Sequence, residues 1–316
     1  TDLFARGAVE ILQKVGCHSL AFGSEGGDEN FFKAAVSQRQ AIEKEISRFV
    51  EENRSLTFAN QLTQLAIKKF GEESALVEAL ESPNQQLGLA YALENEKGEH
   101  PMQIVPITRV GSGHLDDALE ETAFASGTAL RKALKGNRDD QVLRAQLSYV
   151  RFDEEEYQND WSSYWPLLKS IILRSTDEEL RAIYQMEEGI ENRLKEVIRT
   201  TSSIEECLQQ LKNKRWSWAR LQRLLVYVLL GVTKDEIEGY WSRPIEQGTV
   251  LGFTSKGQEW LKNMREVESF HLITNYAAHK DERQESWDLL YDFWNPSNQI
   301  SATVFKPIQV NQEAGF

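Results

Sequence analysis

A short stretch near the middle of the chain combines residue types that bind phosphate. Ser126, a glycine and Thr128 precede an apolar helical pattern that runs to Leu134, and Arg131 follows one turn after Thr128. Hydroxyls and free backbone N–H groups at a helix N-terminus bind anions, and a guanidinium matches pairs of phosphate oxygens. The stretch therefore predicts a phosphate site, although a simple N-cap followed by a solvated arginine explains the same residues.

Two predicted strands lead towards this site. The apolar pattern indicates a helix from Asp2 to Val15 and a short buried strand from His18 to Phe22, which ends in Gly23. A second core strand is predicted from Gln103 to Val110, with Arg109 near its carboxyl end. Ligands of open α/β sheets bind at the carboxyl ends of the strands, where glycine lets the backbone approach a nucleotide. We therefore expect Gly23 and Arg109 at a nucleotide-binding edge; a plain strand-to-loop turn is the alternative for Gly23.

Helices complete the predicted first half of the chain. Asp28 is placed to cap a helical stretch that reaches about Asn53. A further helix is predicted from Gln85 to Leu93, with Asn84 at or near its N-cap. This order of strand, polar loop and helix start is typical of nucleotide-binding α/β domains.

The composition is that of a globular protein with room for two domains. The 316 residues are 41% hydrophobic and 27% charged, and the formal net charge is −13. So acidic a chain is not expected to bind nucleic acid or an anionic membrane through its overall field, but a local basic face is compatible with it. Cys17 and Cys207 are too few for a disulfide scaffold, and neither a membrane span nor a signal peptide is found. We expect free thiols and a cytoplasmic location.

The second half is predicted to be a helical bundle. A dense acidic run at residues 153–160 marks a change of character, and we divide the chain there into a nucleotide-binding domain, residues 1–150, and a mainly helical domain, residues 151–316. The helices are indicated by apolar spacing, by the capping boxes Thr176/Glu179 and Ser202/Glu205 and by a closing glycine. They run from Trp161 to Arg174, from Thr176 to about Arg199, from Ser202 to near Asn213, and from Trp216 to Leu230 before Gly231. The later strand-like runs are Thr249 to Phe253 and Ile300 to Phe305.

Positive charge is concentrated in one segment of this bundle. Residues 193–223 contain eight basic and three acidic residues, a net of +5 within an acidic protein. Two tryptophans, Trp216 and Trp218, lie among the cations, and such a mixture binds RNA phosphates while stacking on bases. We predict an RNA-binding surface that includes Lys212, Lys214, Arg215, Arg220 and Arg223. An ordinary solvated helix face with two core tryptophans is the alternative.

These motifs together resemble the bacterial tRNA(Met) cytidine acetate ligase family, a branch of the H-x-G-H nucleotidyltransferase-like superfamily. The resemblance spans most of the first 230 residues and keeps the order of the family. It rests on F-A-R-G-A-V-E-I-L and L-A-F-G-S-E within residues 4–25, S-P-N-Q-Q-L-G-L (82–89), V-P-I-T-R-V-G-S-G-H-L-D-D (105–117), F-A-S-G-T-A-L-R-K-A-L (124–134), M-E-E-G-I-E-N-R-L-K (186–195) and K-N-K-R-W-S-W-A-R-L-Q-R-L-L (212–225).

The resemblance implies a Rossmann-like nucleotidyltransferase-type domain and an ATP-dependent ligase. Such an enzyme activates acetate as acetyl-AMP, releases pyrophosphate, and acetylates N4 of the wobble cytidine of elongator tRNA(Met). The implied partners are ATP, acetate and this tRNA, without a membrane. The positions that match ATP contacts of the family or of its phosphate motif S-S-T-x-x-R are Gly23, Asn84, Arg109, Val110, Ser126, Thr128 and Arg131. Gly127 replaces the second serine of that motif, so the resemblance implies one hydroxyl contact fewer.

One departure concerns the catalytic histidines. The H-x-G-H signature is absent from these 316 residues, whose five histidines are scattered. Since the pattern is helical from the first residues, we expect the first strands of the domain and the histidine pair upstream of Thr1, and we expect the 316 residues alone to be inactive. No Asp/Glu/His spacing predicts a protein-bound metal, and the need for Mg²⁺ is left open.

Two other functions fit parts of the same pattern. A small-molecule adenylyltransferase of the same superfamily would share the phosphate motif but would not need a helical bundle with a basic face. A non-catalytic RNA-binding or regulatory protein would have a degenerate nucleotide site. The joint presence of Gly23, Asn84, Arg109 and Arg131 speaks against the second alternative.

Overall fold

The computed structural model describes residues 2–52, 57–109, 161–264, 270–275, 281–292 and 308–309, together with residues 127, 129, 130, 133 and 279. The structural statements below concern these residues. Among them, no helix is both long and apolar enough to cross a membrane.

The first part is an α/β arrangement built on two parallel strands. Its elements are α1 (Asp2–Lys14), β1 (Ser19–Ser24), α2 (Glu29–Ala41), α3 (Glu43–Glu52), α4 (Phe58–Phe70), α5 (Ala75–Glu81), α6 (Pro83–Asn95) and β2 (Gln103–Thr108). Strands β1 and β2 pair in parallel, with Ser19 opposite Gln103 and Ser24 opposite Thr108. Both predicted strands are confirmed, and their carboxyl ends meet at one edge as parallel pairing requires.

The core of this part lies between β1 and the helices that follow it. Leu20, Phe22 and Ser24 alternate inwards along β1. The rings of Phe22 and Phe32 meet edge to face at 5.0 Å, the geometry that aromatic quadrupoles favour. Helix α6 passes over this pair at Gly88, which is buried.

Two predicted helix boundaries in the first part were wrong. The stretch capped by Asp28 is interrupted at Ile42, so α2 and α3 are separate helices. The interruption lets the fully buried Ile42 enter the core while α3 turns to pack on α4. Helix α6 begins at Pro83, and Ser82 is its N-cap. Asn84 is therefore in the first turn, and its side chain is not used for capping.

The second part is the predicted helical bundle. It comprises α7 (Trp161–Arg174), α8 (Asp177–Ala182), α9 (Ile190–Thr200), α10 (Ile204–Leu211), α11 (Trp218–Leu230) and α12 (Lys234–Ser242). Helices α7, α9, α10 and α11 surround a second apolar cluster that includes the buried Leu168, Leu194, Cys207 and Leu221. Burial raises the pKa of the Cys207 thiol to about 11.

The predicted helix from Thr176 to Arg199 is instead two helices. The Thr176/Glu179 capping box is present, but α8 ends at Ala182. A turn with positive φ at Gln185, Glu188 and Gly189 then leads into α9. This turn exists because Ile183 pairs with Thr233 in an antiparallel bridge and Met186 is buried in the core.

Two more boundaries in the bundle are shifted. The cap of α10 is Ser203, whose hydroxyl accepts from the Glu206 N–H, and Ser202 donates to the Glu206 carboxylate. Helix α11 begins at Trp218 after the cap Ser217, two residues later than predicted. Its predicted end at Gly231 is confirmed by the left-handed backbone of that residue.

The C-terminal region packs against the first helix of the chain. It contains β3 (Gln247–Thr249), β4 (Gly252–Phe253), α13 (Ser255–Met264), β5 (His271–Ile273), α14 (Glu282–Asp292) and β6 (Ile308–Gln309). Strand β3 pairs in parallel with β5, and β4 with β6, so the predicted strand at 249–253 is two short strands. The predicted run 300–305 lies outside the described residues.

A row of polar side chains on α1 forms the contact. Arg6 donates to the carbonyl oxygens of residues 240, 241 and 243 at 2.7–2.9 Å. Glu10 accepts from the Ile245 N–H at 2.7 Å, and Lys14 donates to the Ile245 carbonyl at 2.5 Å. Helix α1 therefore connects the first part of the protein to residues 240–245, where the chain leaves the helical bundle.

Substituting Gly88 by alanine tests the packing of α6. A Cβ at this position would lie 2.6 Å from Phe22 Cε2 and 2.8 Å from Phe32 Cε1. Because both rings are held in the core, we expect Gly88→Ala to lower the free energy of unfolding by about 1–3 kcal/mol in a urea titration. Gly7→Ala is the matched control, since its Cβ would meet only Ile245 Cδ1 at 3.7 Å. This helical substitution should raise stability by up to about 1 kcal/mol. Equal effects at the two sites would contradict the described packing.

Candidate nucleotide site and basic surface

The carboxyl edge of the two strands brings Gly23 and Arg109 together. The Arg109 N–H donates to the Ser24 carbonyl at 2.9 Å and continues the β1–β2 pairing by one residue. The aliphatic part of the Arg109 side chain lies across Gly23. A Cβ built on Gly23 would be 3.6 Å from Arg109 Cγ and 3.8 Å from Cδ, which is ordinary contact. The fold itself therefore has space for a methyl group at Gly23.

Asn84 reaches the same edge from the first turn of α6. A buried pair of polar side chains connects this turn to β1: Ser24 Oγ donates to Gln85 Oε1 at 2.8 Å, and Gln85 Nε2 donates to the Gly26 carbonyl at 3.1 Å. Beside them, Asn84 Nδ2 donates to Glu25 Oε1 at 3.0 Å. Gly23, Asn84 and Arg109, three residues named from the sequence, thus line one cavity of about 500 Å³.

The rest of the cavity wall is largely apolar. It is formed by residues of α1, β1 and α6, among them Leu12, Leu20, Leu87 and Tyr91. Ligand sites of this size commonly combine such a wall with a few convergent polar groups. Here those groups are a guanidinium and a carboxamide, which suit an anionic ligand with hydrogen-bonding edges.

The stretch predicted to bind phosphate, residues 126–134, is described only in part. Gly127, Ala129, Leu130 and Ala133 are helical, in agreement with the predicted helix, and Ala129 is buried. Of the predicted ATP-binding residues, Val110, Ser126, Thr128 and Arg131 lie outside the described part of the chain. Their placement at the cavity stays a prediction.

The sequence did not identify Glu25, which contacts two of the predicted site residues. Glu25 Oε1 accepts from Asn84, and it lies 4.0 Å from Arg109 Nη1. Its position directly after a strand ending in glycine was a usable signal, because side chains at the carboxyl ends of parallel strands share one edge. Ser24 and Gln85 were also missed, since their pairing depends on the approach of α6 to β1.

The basic residues of the bundle form an exposed surface, but its aromatic component was predicted wrongly. Lys212, Lys214, Arg215 and Arg223 are exposed. Trp216, expected among them, is 3% exposed and belongs to the core. Asn213 Oδ1 accepts from the N–H groups of residues 215 and 216 and folds the turn so that the indole points inwards. The Arg220 guanidinium covers the ring at 3.9 Å.

Carboxylates of the protein neutralise part of this surface. Arg215 pairs with Glu188 at 2.8 Å, and Arg220 lies 3.4 Å from Glu187. Both acids come from the turn with positive φ that precedes α9. Within the described ranges, no carboxylate lies within ion-pair distance of Lys212, Lys214 or Arg223.

Two of the three basic residues on α9, Arg193 and Lys195, are also held by partners within the protein. Lys195 bonds to Asp177 at 2.6 Å, which holds the pKa of that carboxyl below its usual value, and Arg193 donates to the Gln210 carbonyl.

In the portion of the chain that the structure describes, no three His, Cys, Asp or Glu side chains gather in a way that could hold a metal ion.

Comparison with known proteins identifies the family of this chain. The sequence model of the family described as HIGH Nucleotidyl Transferase matches residues 1–311. A Lactobacillus gasseri protein named tRNA(Met) cytidine acetate ligase is 32% identical over 277 residues, covering 86% of this chain and 69% of the relative. A Lactobacillus acidophilus protein of the same name is 34% identical over 278 residues, with the same coverage.

Solved structures agree in fold. The apo form I crystal structure of Thermotoga maritima TmcAL has a TM-score of 0.82 and 22% identity, covering 97% of this chain and 80% of that one. The same protein bound with alpha-thio ATP has a TM-score of 0.78 and 23% identity, with the same coverage. The family match along nearly all of the sequence and the relatives above 30% identity show that the chain belongs to the tRNA(Met) cytidine acetate ligase family of HIGH nucleotidyltransferases.

Proposed function

We propose that this protein is an ATP-dependent ligase that acetylates N4 of the wobble cytidine of elongator tRNA(Met). One observation carries the proposal: Gly23, Asn84 and Arg109, chosen from the sequence for nucleotide binding, line a single cavity at the carboxyl edge of parallel strands. The names of the curated relatives supply the tRNA and the acetyl donor. The cytoplasm, where tRNA is modified, is the proposed location.

The proposed reaction has two balanced steps. An acetate oxygen attacks the α-phosphorus of ATP, which forms acetyl-AMP and releases pyrophosphate. The N4 amine of cytidine then attacks the acetyl carbonyl carbon, AMP leaves, and the nitrogen loses a proton. The first step depends on holding the acetate oxygen in line with the bond to pyrophosphate, because charge develops on phosphate oxygens. The second step depends on holding the N4 amine against the acetyl carbonyl carbon, and neither step needs a covalent protein intermediate.

The cavity residues have distinct proposed roles in binding ATP. Gly23 lets the nucleotide approach the strand backbone, Asn84 offers a carboxamide, and Arg109 lies at the edge where phosphates would enter. Val110, the next residue in sequence, is also proposed to contact ATP. Ser126, Thr128 and Arg131 are proposed to bind phosphate oxygens from the N-terminus of their helix. Lys212, Lys214 and Arg223 are proposed to bind tRNA phosphates directly, whereas Arg215 and Arg220 must first exchange a carboxylate for a phosphate.

Incorporation of labelled acetate into purified tRNA(Met) tests the proposal. The full-length product of the gene is incubated with the tRNA, labelled acetate and Mg²⁺, with and without ATP. We expect label on the wobble cytidine only when ATP is present. ATP binding without label on tRNA would favour a small-molecule adenylyltransferase, and tRNA binding without ATP binding would favour a non-catalytic RNA-binding protein.

Gly23→Ala separates the role of Gly23 in ligand binding from any role in folding. The nearest atoms to the new methyl group are those of Arg109 at ordinary contact distance, so the melting temperature should stay within about 2 °C of the wild type. ATP affinity, measured by isothermal titration calorimetry, should fall at least about tenfold, because the methyl group occupies space that the nucleotide needs. Unchanged affinity would remove Gly23 from the site.

Lys212→Ala with Lys214→Ala tests the part of the basic surface that has no ion-pair partner among the described residues. Losing two phosphate contacts should weaken tRNA binding and reduce the slope of log affinity against log salt by about 2. Lys195→Ala is the matched control, because Lys195 belongs to the same basic segment but is held by Asp177. Its salt slope should equal that of the wild type. An equal reduction of the salt slope in both variants would mean that an ion pair with a carboxylate of the protein does not determine which cations bind RNA.

A further inference from the structure

We propose that Glu25 is a positioning residue of the nucleotide site, which fixes the orientation of the Asn84 carboxamide and holds the Arg109 guanidinium beside it. The inference rests on the proposed function only in taking ATP as the ligand of the cavity. Neither Glu25 nor its contacts were part of the expected site.

Strand register brings Glu25 to Arg109. Glu25 directly follows β1, and Arg109 directly follows β2; the two strands are paired up to Ser24 and Thr108. The bond from the Arg109 N–H to the Ser24 carbonyl fixes the two chain segments at this point. Glu25 Oε1 and Arg109 Nη1 are then 4.0 Å apart, while the same oxygen accepts from Asn84 Nδ2 at 3.0 Å.

Buried neighbours hold the Glu25 backbone in place. Ser24 is fully buried and Gln85 is 4% exposed. The Ser24 hydroxyl donates to Gln85 Oε1, and Gln85 Nε2 donates to the Gly26 carbonyl. Glu25 follows Ser24 in the sequence, and Asn84 precedes Gln85. Both lie on the solvent side of this buried pair. The bond between Glu25 and Asn84 therefore has a rigid support on both sides.

The chemistry of the bond determines which end of the amide is presented. An ionised carboxylate can only accept hydrogen bonds, so the Asn84 NH₂ group must face Glu25 and the amide oxygen must face away. No bond to Asn84 Oδ1 is found from the residues described. Asn84 thus offers an acceptor, which suits a ribose hydroxyl or an adenine amino group rather than a phosphate oxygen.

Stability does not explain the arrangement. The Glu25 and Arg109 side chains are 36% and 38% exposed, and ion pairs at such positions contribute little to folding. A carboxylate close to a phosphate site also repels the ligand, so a purely electrostatic role would make Glu25 unfavourable for ATP binding. Glu25→Ala should therefore weaken ATP binding if Glu25 positions Asn84, and should strengthen ATP binding if Glu25 acts only through its charge.

A double-mutant cycle on ATP affinity tests the proposal. Affinities of the full-length protein and of Glu25→Ala, Glu25→Gln, Asn84→Ala and the double alanine variant are measured by calorimetry with Mg-ATP. We expect about tenfold weaker binding for each alanine variant and about the same tenfold loss, rather than a hundredfold one, for the double variant. Glu25→Gln should retain most of the affinity, because its amide oxygen can still accept from Asn84.

Each other outcome overturns the proposal. Tighter binding by Glu25→Ala would show that only its charge matters, and unchanged binding would show that Glu25 has no role in the site. Additive losses would show that Glu25 does not act through Asn84. Glu25→Gln binding as weakly as Glu25→Ala would exclude amide orientation as the cause. Melting temperatures of all variants distinguish these results from unfolding. ATP binding by the wild type without acetylation of tRNA would contradict the proposed function but not the positioning role of Glu25. Absence of ATP binding would overturn both.

Discussion

The parallel pairing of β1 and β2 is the constraint on which the rest of the nucleotide site depends. Parallel strands place their carboxyl ends at the same edge, and the register from Ser19–Gln103 to Ser24–Thr108 brings Gly23, Glu25 and Arg109 within contact distance. Arg109 is more than 80 positions away from the other two in the chain. Packing of Leu20, Phe22 and Ile104 into one core maintains this register, because a shift by one residue would expose the buried face.

The approach of α6 adds the third side of the site. Gly88 lets the helix lie against the Phe22–Phe32 pair, and the buried Ser24–Gln85 bond determines the position of its first turn. A buried polar pair whose members are both bonded contributes more to specificity than to stability, because misalignment would leave a polar group without a partner. Apolar packing therefore determines how close α6 lies, and the polar pair determines how far it is displaced along β1.

The basic surface shows that charge in sequence and charge available for binding are different quantities. The segment 193–223 has a net charge of +5, but Lys195, Arg215 and Arg220 are already paired with acids that lie outside it, on α8 and in the turn before α9. Left-handed backbone at Glu188 and Gly189 brings the two acids of that turn to the arginines. Among the described residues, the cations of this segment without an ion-pair partner include Lys212 and Lys214, which follow α10, and Arg223 on α11.

From the sequence alone, the α/β class, the helical second half, both core strands and the helix ends at Asp28, Thr176 and Gly231 could be predicted, because periodicity, caps and glycine are local signals. Gly23, Asn84 and Arg109 could be named because their motifs resemble a known family. The interruptions at Ile42 and at 183–189, the burial of Trp216, the pairing of the arginines and the contacts of Glu25 could not. Each of these depends on a partner distant in sequence, so the energy that favours it exists only once the tertiary structure has brought the two segments together.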